Sequence, residues 1–235
     1  MAGEDQRTAP VTRYRVALAV GLAGLLIACA WYLIRPDTVG LRRAGGGWLE
    51  LTGPPLPAPA AFLGVFLVFG TVPAALSRTI LGKSPGALGL GPGDWKATVL
   101  LCALGLPLAA ASAYVASTSL ELQQVYPLGG MLAANLPAFT VHAATYLLYY
   151  LGFEYLFRGF LLLGLEDELG ALNANVLQSV LATAFHLGKP PLEMLAVLPA
   201  SLLFGWLTLR TRALWCALVL HWTVGVALDA LLVFR

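Results

Sequence analysis

Charged residues are scarce in this chain of 235 residues, where Asp, Glu, Lys and Arg together make up 11% of the sequence. Soluble domains carry about 25% charged residues, whereas 59% of the residues here are hydrophobic. The composition therefore leaves little room for a soluble domain and predicts an integral membrane protein whose surroundings are the lipid bilayer. The net charge is only +2, and no block of Lys or Arg is present, so we predict no nucleic-acid partner.

Cysteine is also rare, and internal repeats are lacking. The three cysteines are Cys29, Cys102 and Cys216; they lie far apart and form no CxxC pair. This spacing excludes a zinc ribbon or a dithiol redox motif and is typical of small buried apolar side chains. The lack of paired half-helices or an inverted repeat argues against a transporter or a channel.

The sequence contains several long hydrophobic runs. They predict an all-α fold, namely a bundle of helices that crosses the membrane several times. A membrane-spanning helix needs about 20 apolar residues, and about seven segments approach that length. They are residues 16–34, 60–81, 97–116, 138–163, 172–187, 191–209 and 213–234. We predict an N-terminal tail at 1–15, three membrane helices with their loops at 16–136, and four more helices at 137–235.

Loop charge predicts that the N-terminus is cytoplasmic, since Lys and Arg are enriched in cytoplasmic loops. Cytoplasmic loops would then hold Arg7, Arg13, Arg15, Arg78, Lys83, Lys96, Arg210 and Arg212. The loop from Ser117 to Leu136 has no Lys or Arg, as expected outside. Arg35, Arg42 and Arg43 oppose this bias, which an interfacial first loop containing Trp48 would explain. The Ala, Leu, Gly and Pro-rich composition favours a bacterial inner membrane.

Several ionisable residues fall inside the later apolar segments, where their presence is costly and usually functional, and four of them form a candidate site. Glu154 and Arg158 are spaced i,i+4 and share one helix face. His186 and His221 follow in two further segments, and a rise of about 1.5 Å per residue brings both near the depth of Glu154. A carboxylate with a histidine can deprotonate a water, and a second histidine can donate to an oxyanion. A purely structural ion pair remains the alternative for Glu154 and Arg158.

The order of these motifs resembles the CPBP intramembrane proteases, also called the type II CAAX prenyl endopeptidase or Abi family. That family shows EExxxR, then FxxxH, then HxxxN or HxxxD, on three helices. This chain reads Phe153-Glu154-Tyr155-Leu156-Phe157-Arg158, then Ala182-Thr183-Ala184-Phe185-His186, then His221-Trp222-Thr223-Val224-Gly225. The resemblance covers residues 138–229, about 40% of the chain, and implies that 137–235 are the catalytic helices.

Three positions depart from the family pattern. Phe153 stands at the first Glu, Ala182 at the phenylalanine, and Gly225 at the oxyanion Asn or Asp. In one interpretation, Glu154 acts as the base in a single-Glu branch. Because neighbouring helix positions differ by about 100°, this requires a rotated pocket or a locally unwound helix. In the other interpretation the chain is an inactive relative that acts as a membrane scaffold.

Two further carboxylates could supply a missing polar group. Glu193 follows Lys189-Pro190-Pro191, where an acidic helix-capping role is the alternative. Asp229 lies about 12 Å along the helix axis from His221, so it is a poor direct substitute for residue 225. His142 has no acidic neighbour in sequence and is interpreted as structural.

The resemblance implies an endopeptidase that cuts a membrane-anchored protein near its C-terminal or leader segment. Candidates are a prenylated CAAX-like tail, a bacteriocin leader, and a C-terminal sorting tail. The single Glu with Gly188-Lys189-Pro190 is similar to the myxosortase-type branch, which favours the sorting tail. We expect Glu154, Arg158, His186 and His221 to carry the activity without a cofactor. A zinc site of Glu154, His186 and His221 is a minority alternative, since HExxH is lacking and Arg158 would repel a cation.

Overall fold

The computed structural model describes residues 5–34, 57–128 and 135–235, and every regular element within them is helical. The predicted all-α fold is therefore confirmed. The α-helices are α1 (Asp5–Cys29), α2 (Ala58–Val65), α3 (Val72–Leu81), α4 (Trp95–Ser117), α5 (Leu120–Gln123), α6 (Leu136–Glu154), α7 (Gly164–Leu169), α8 (Ala171–Phe185), α9 (Pro191–Thr211) and α10 (Trp215–Phe234). Four further segments wind as π-helices: Ala30–Ile34, Phe66–Thr71, Gly86–Leu90 and Tyr155–Leu163.

Five helical stretches in the described ranges are long and apolar enough to cross a membrane, so the chain is an integral membrane protein. They are Ala58–Leu81, Gly86–Ser117, Leu136–Leu169, Pro191–Thr211 and Trp215–Phe234. The predicted count of about seven crossings is not confirmed. The apolar part of α1, Tyr14–Cys29, is shorter, and α8 has only 15 residues. The predicted interfacial first loop with Trp48 lies outside the described residues.

The stretch Leu136–Leu169 is the central element of the bundle. Its most apolar window is 78% buried within the protein, against 11% for Gly86–Ser117. Glycine makes this central position possible. A Cβ at Gly152 would lie 2.8 Å from Phe66 Cα, and one at Gly159 would lie 2.7 Å from the Leu88 carbonyl oxygen. Small residues let helix backbones approach closely in membranes, so these glycines bring neighbouring helices against the site-bearing one.

One end of the bundle is marked by ion pairs between its loops. Lys83 Nζ lies 2.8 Å from Asp167 Oδ2, and Arg210 Nη1 lies 3.2 Å from Asp94 Oδ2. The Asp94 side chain also caps α4 by accepting a hydrogen bond from Ala97 N at 3.0 Å. The loops before α4, around α7 and after α9 therefore share one end. The junction between α8 and α9 lies at the opposite end.

Candidate active site

Glu154 is the last residue of α6 and is fully buried. Its Oε1 lies 2.6 Å from Nδ1 of His221 on α10, and its Oε2 lies 3.3 Å from Arg158 Nε. The shared face predicted for Glu154 and Arg158 is thus present, and His221 joins it from another helix. Because a carboxylate accepts from Nδ1–H, this contact leaves Nε2 of a neutral His221 as the basic nitrogen.

Arg158 is held by groups from three directions. Its Nη2 donates to Ser201 Oγ at 3.0 Å, and its Cζ lies 5.4 Å from the centre of the Phe153 ring and 5.7 Å from that of Phe204. Aromatic faces attract a guanidinium, more strongly where water is excluded. The cation is therefore held beside Glu154.

The helix changes its winding immediately after Glu154, where the π-helical segment Tyr155–Leu163 begins. Such segments are rare and are found frequently at functional sites. For Glu154 to serve in place of residue 153, the sequence predicted a rotated pocket or local unwinding of the helix. Glu154 itself keeps ordinary helical torsion angles (φ −61°, ψ −37°), so the wider winding begins only at the next residue and includes Arg158.

His186 directly follows α8 and approaches the site from a second side. Its Nδ1 lies 2.7 Å from the Ala182 carbonyl oxygen. Because a carbonyl oxygen only accepts, Nδ1 carries the hydrogen, and Nε2 is the basic nitrogen of the neutral ring. Nε2 lies 4.0 Å from Glu193 Oε1.

A cavity of about 30 Å³ separates the two histidines. It is lined by Phe153, Arg158, Ala182, His186, Val197, Ala200, Ser201, Phe204 and His221. This volume is sufficient for a water molecule. Both histidines face the cavity, whereas Glu154 lies behind His221 and does not line it. The structure thus brings the four predicted residues together. Arg158, His186 and His221 line the cavity, and Glu154 contacts Arg158 and His221 without lining it.

Phe153 lies between the two histidines. The centre of its ring is 5.8 Å from that of His186 and 5.3 Å from that of His221, with both pairs close to perpendicular. These edge-to-face contacts are a favoured arrangement for aromatic rings. The residue that replaces the family's first glutamate therefore takes no proton but fixes the orientation of the imidazoles.

The space beside Gly225 is filled by Tyr150. A Cβ at residue 225 would collide with the Tyr150 hydroxyl oxygen and would lie 2.9 Å from its Cζ. The Tyr150 ring also packs on His221, with ring centres 4.3 Å apart. The side chain that the family places at residue 225 has no room here, and a phenol from α6 occupies that place.

Gly225→Ala is expected to lower both stability and any His221-dependent activity. The added methyl must displace Tyr150 and with it the packing on His221, and overpacking of this kind costs about 1–3 kcal/mol. Thermal unfolding in detergent measures the loss. Adding Tyr150→Phe removes the colliding oxygen and should recover part of it. Equal stabilities of Gly225→Ala with and without Tyr150→Phe would show that the hydroxyl is not the obstacle.

Asp229, the other carboxylate considered from sequence, does not join this cavity. Its Oδ2 lies 2.8 Å from His142 Nε2, and both side chains are fully buried. The pair ties α10 to the first half of α6. The interpretation of His142 as lacking an acidic neighbour holds for the sequence only, since the fold supplies Asp229.

Sequence reasoning missed the polar side chains that support Arg158. Gln178 Nε2 on α8 donates to Asn175 Oδ1 and to Ser179 Oγ, each at 2.7 Å, and to the Ser201 carbonyl at 3.2 Å. Ser201 in turn accepts from Arg158. Polar residues at membrane depth were the available signal. Tyr150 carried a second signal, because it precedes Glu154 by four residues.

The residues in the described ranges include no group of three His, Cys, Asp or Glu side chains close enough to hold a metal ion. Glu154 and His221 are in contact, while His186 lines the same cavity as His221. Activity without a cofactor stays a prediction.

Comparison with known families gives a match that covers the elements just described. Residues 135–227, from the start of α6 into α10, match the family described as Type II CAAX prenyl endopeptidase Rce1-like. The match contains all four predicted residues as well as Tyr150, Ser201 and Gly225. Comparisons with curated proteins and with solved structures gave no match. Residues 135–227 thus form a type II CAAX prenyl endopeptidase Rce1-like domain, the domain of a protease family.

Proposed function

We propose that this chain is an intramembrane endopeptidase that hydrolyses a peptide bond with a water activated by His221 and Glu154. One observation carries the proposal: the 2.6 Å contact between Glu154 Oε1 and His221 Nδ1 behind a cavity that His221 lines. A buried carboxylate that orients an imidazole toward a water-sized space is an arrangement suited to general base catalysis.

The steps follow from the positions of the side chains. His221 Nε2 removes a proton from a water in the cavity, and the water oxygen bonds to the carbonyl carbon of the substrate. Glu154, the partner of His221 Nδ1, stabilises the imidazolium that forms. A protonated His186 on the opposite wall donates a hydrogen bond to the oxyanion. The carbon–nitrogen bond then breaks, and His221 returns the proton to the leaving amine.

The proposed substrate is a membrane-anchored protein cut near its C-terminal or leader segment. A C-terminal sorting tail is the favoured class, because the sequence resembles the myxosortase-type branch. A prenylated CAAX-like tail and a bacteriocin leader are the other two classes. We also propose a bacterial inner membrane and a cytoplasmic N-terminus. In that orientation the loop end with Lys83 and Arg210 faces the cytoplasm, and His186 lies toward the outer surface.

The test is cleavage of one substrate from each class by membranes that contain the full chain. Wild type is expected to cut at least one of them. His221→Ala is expected to lower the rate by about 10²–10⁴-fold, the usual contribution of a general base. His186→Ala is expected to lower it by about 10²–10³-fold, the usual contribution of an oxyanion donor. The exposed Glu121→Gln on α5 serves as the control. Cleavage that persists unchanged in both histidine variants would reject the assignment.

A further inference from the structure

A second carboxylate approaches the cavity from α9 and is not used in the steps above. Glu193 Oε1 lies 4.0 Å from His186 Nε2, and the two side chains are only 18% and 13% exposed. Both histidines that line the cavity therefore have a carboxylate partner: Glu154 for His221, and Glu193 for His186. Phe153 packs against both imidazoles.

Glu193 is held in place from its other side. The Tyr126 hydroxyl donates to Oε1 at 2.9 Å, and Lys189 Nζ lies 4.9 Å from the centre of the Tyr126 ring. Oε2 is buried without a hydrogen-bond partner among the described residues. A buried carboxylate oxygen left without a partner is costly. A nearby cation offsets part of that cost, and His186 becomes one when it is protonated.

We propose that Glu193 is a positioning residue that holds His186 in its protonated form, with Nε2–H available to the oxyanion. This inference rests on the proposed hydrolytic function and deepens it. Nδ1–H is already fixed by the Ala182 carbonyl, so the second proton can sit only on Nε2, on the side of Glu193. An opposite charge within about 4–6 Å favours the charged form of a titratable group.

The other charged groups near His186 make such a partner necessary. Arg158 and His221 line the same cavity, and Lys189 Nζ lies 3.5 Å from the Tyr126 hydroxyl oxygen. All three can carry positive charge, so they oppose protonation of His186. Glu154 is the carboxylate paired with Arg158 and His221, whereas Glu193 is the carboxylate paired with His186. Without its charge, His186 should lose its proton at a lower pH, and a reaction that needs protonated His186 should fail earlier as pH rises.

A structural role for Glu193 is the competing explanation. It lies in the first turn of α9, where an acidic side chain favours the positive end of the helix dipole. That role would change stability when the charge is removed. It would leave the pH dependence of the reaction unchanged.

The experiment compares pH–rate profiles of the full chain in lipid vesicles with the substrate that wild type cuts. In Glu193→Gln the alkaline limb is expected to move to lower pH by about one unit. Glu193→Asp, which keeps the charge, should restore most of the shift. Glu121→Gln, an exposed carboxylate at the same end of the bundle, should superimpose on wild type. If the pH–rate profile of Glu193→Gln has the same shape and alkaline limb as that of wild type, the inference is overturned, whatever the absolute rate or stability of the variant.

A measurement that needs no cleavage separates this inference from the proposed function. Nitrogen-15 NMR of labelled His186 in the same vesicles gives the pH at which half of the imidazole is protonated. Glu193→Gln should lower that pH by the same amount as the kinetic limb. Absence of cleavage by wild type together with this shift would refute the protease proposal alone. Cleavage by wild type without the shift would refute the role of Glu193 alone.

Discussion

Glu154→Gln is expected to lower the cleavage rate by about 10²–10⁴-fold, the range for losing general base assistance. Glutamine can still accept a hydrogen bond from His221 Nδ1, so the imidazole keeps its orientation. It supplies no negative charge to stabilise the imidazolium, however, and it leaves Arg158 without its anion. Cleavage of the substrate that wild type cuts, normalised to the amount of chain in the membrane, measures the effect.

Loss of folding must be separated from loss of chemistry in this test. Removing one partner of a buried ion pair costs about 3–5 kcal/mol because the other charge is left uncompensated. The double variant Glu154→Gln with Arg158→Gln removes both charges and should recover much of the stability while staying inactive. Glu154→Asp should retain partial activity. Wild-type rates in Glu154→Gln would contradict the role assigned to the carboxylate.

Asp229→Ala is expected to lower the free energy of unfolding by about 3–5 kcal/mol, the cost of breaking a buried pair. Both Asp229 and His142 are fully buried, and His142 would lose its acidic partner. The activity of each folded molecule should change little, since the pair lies away from the cavity. Thermal unfolding in detergent gives the stability, and cleavage per folded molecule gives the activity.

The matched variant replaces both partners by apolar side chains, as in His142→Leu with Asp229→Leu. Replacing both members of a buried ion pair by apolar residues often leaves the free energy of unfolding unchanged. This double variant should therefore be more stable than Asp229→Ala. Loss of activity in Asp229→Ala at unchanged stability would instead assign Asp229 to the reaction.

The sequence predicted the axial arrangement of the site well. The i,i+4 spacing placed Glu154 beside Arg158, and the rise per residue placed His221 and His186 at similar depth. Rotation of each helix about its axis was not predictable, because it depends on packing against neighbours. This rotation directs the His221 side chain toward Glu154 and the His186 side chain toward Glu193.

Packing also explains why the space beside Gly225 and the partner of His142 were not predicted. Tyr150 fills the space at Gly225 from another helix, and Asp229 reaches His142 across the same interface. Neither contact can be recognised from the spacing of residues within one helix. The predicted count of about seven crossings is not confirmed, and the reason is related: the apolar segment that contains α8 forms a helix of only 15 residues. That short helix carries Asn175 and Gln178, whose hydrogen bonds are satisfied inside the protein.

The most direct measurement is hydrolysis in water enriched in oxygen-18 by the purified chain in lipid vesicles, with the products analysed by mass spectrometry. Wild type is expected to form a product with one oxygen-18 atom in its new carboxylate. His221→Ala is expected to form about 10²–10⁴-fold less of this labelled product. An equal yield of labelled product from wild type and His221→Ala would contradict the claim that His221 and Glu154 activate the water.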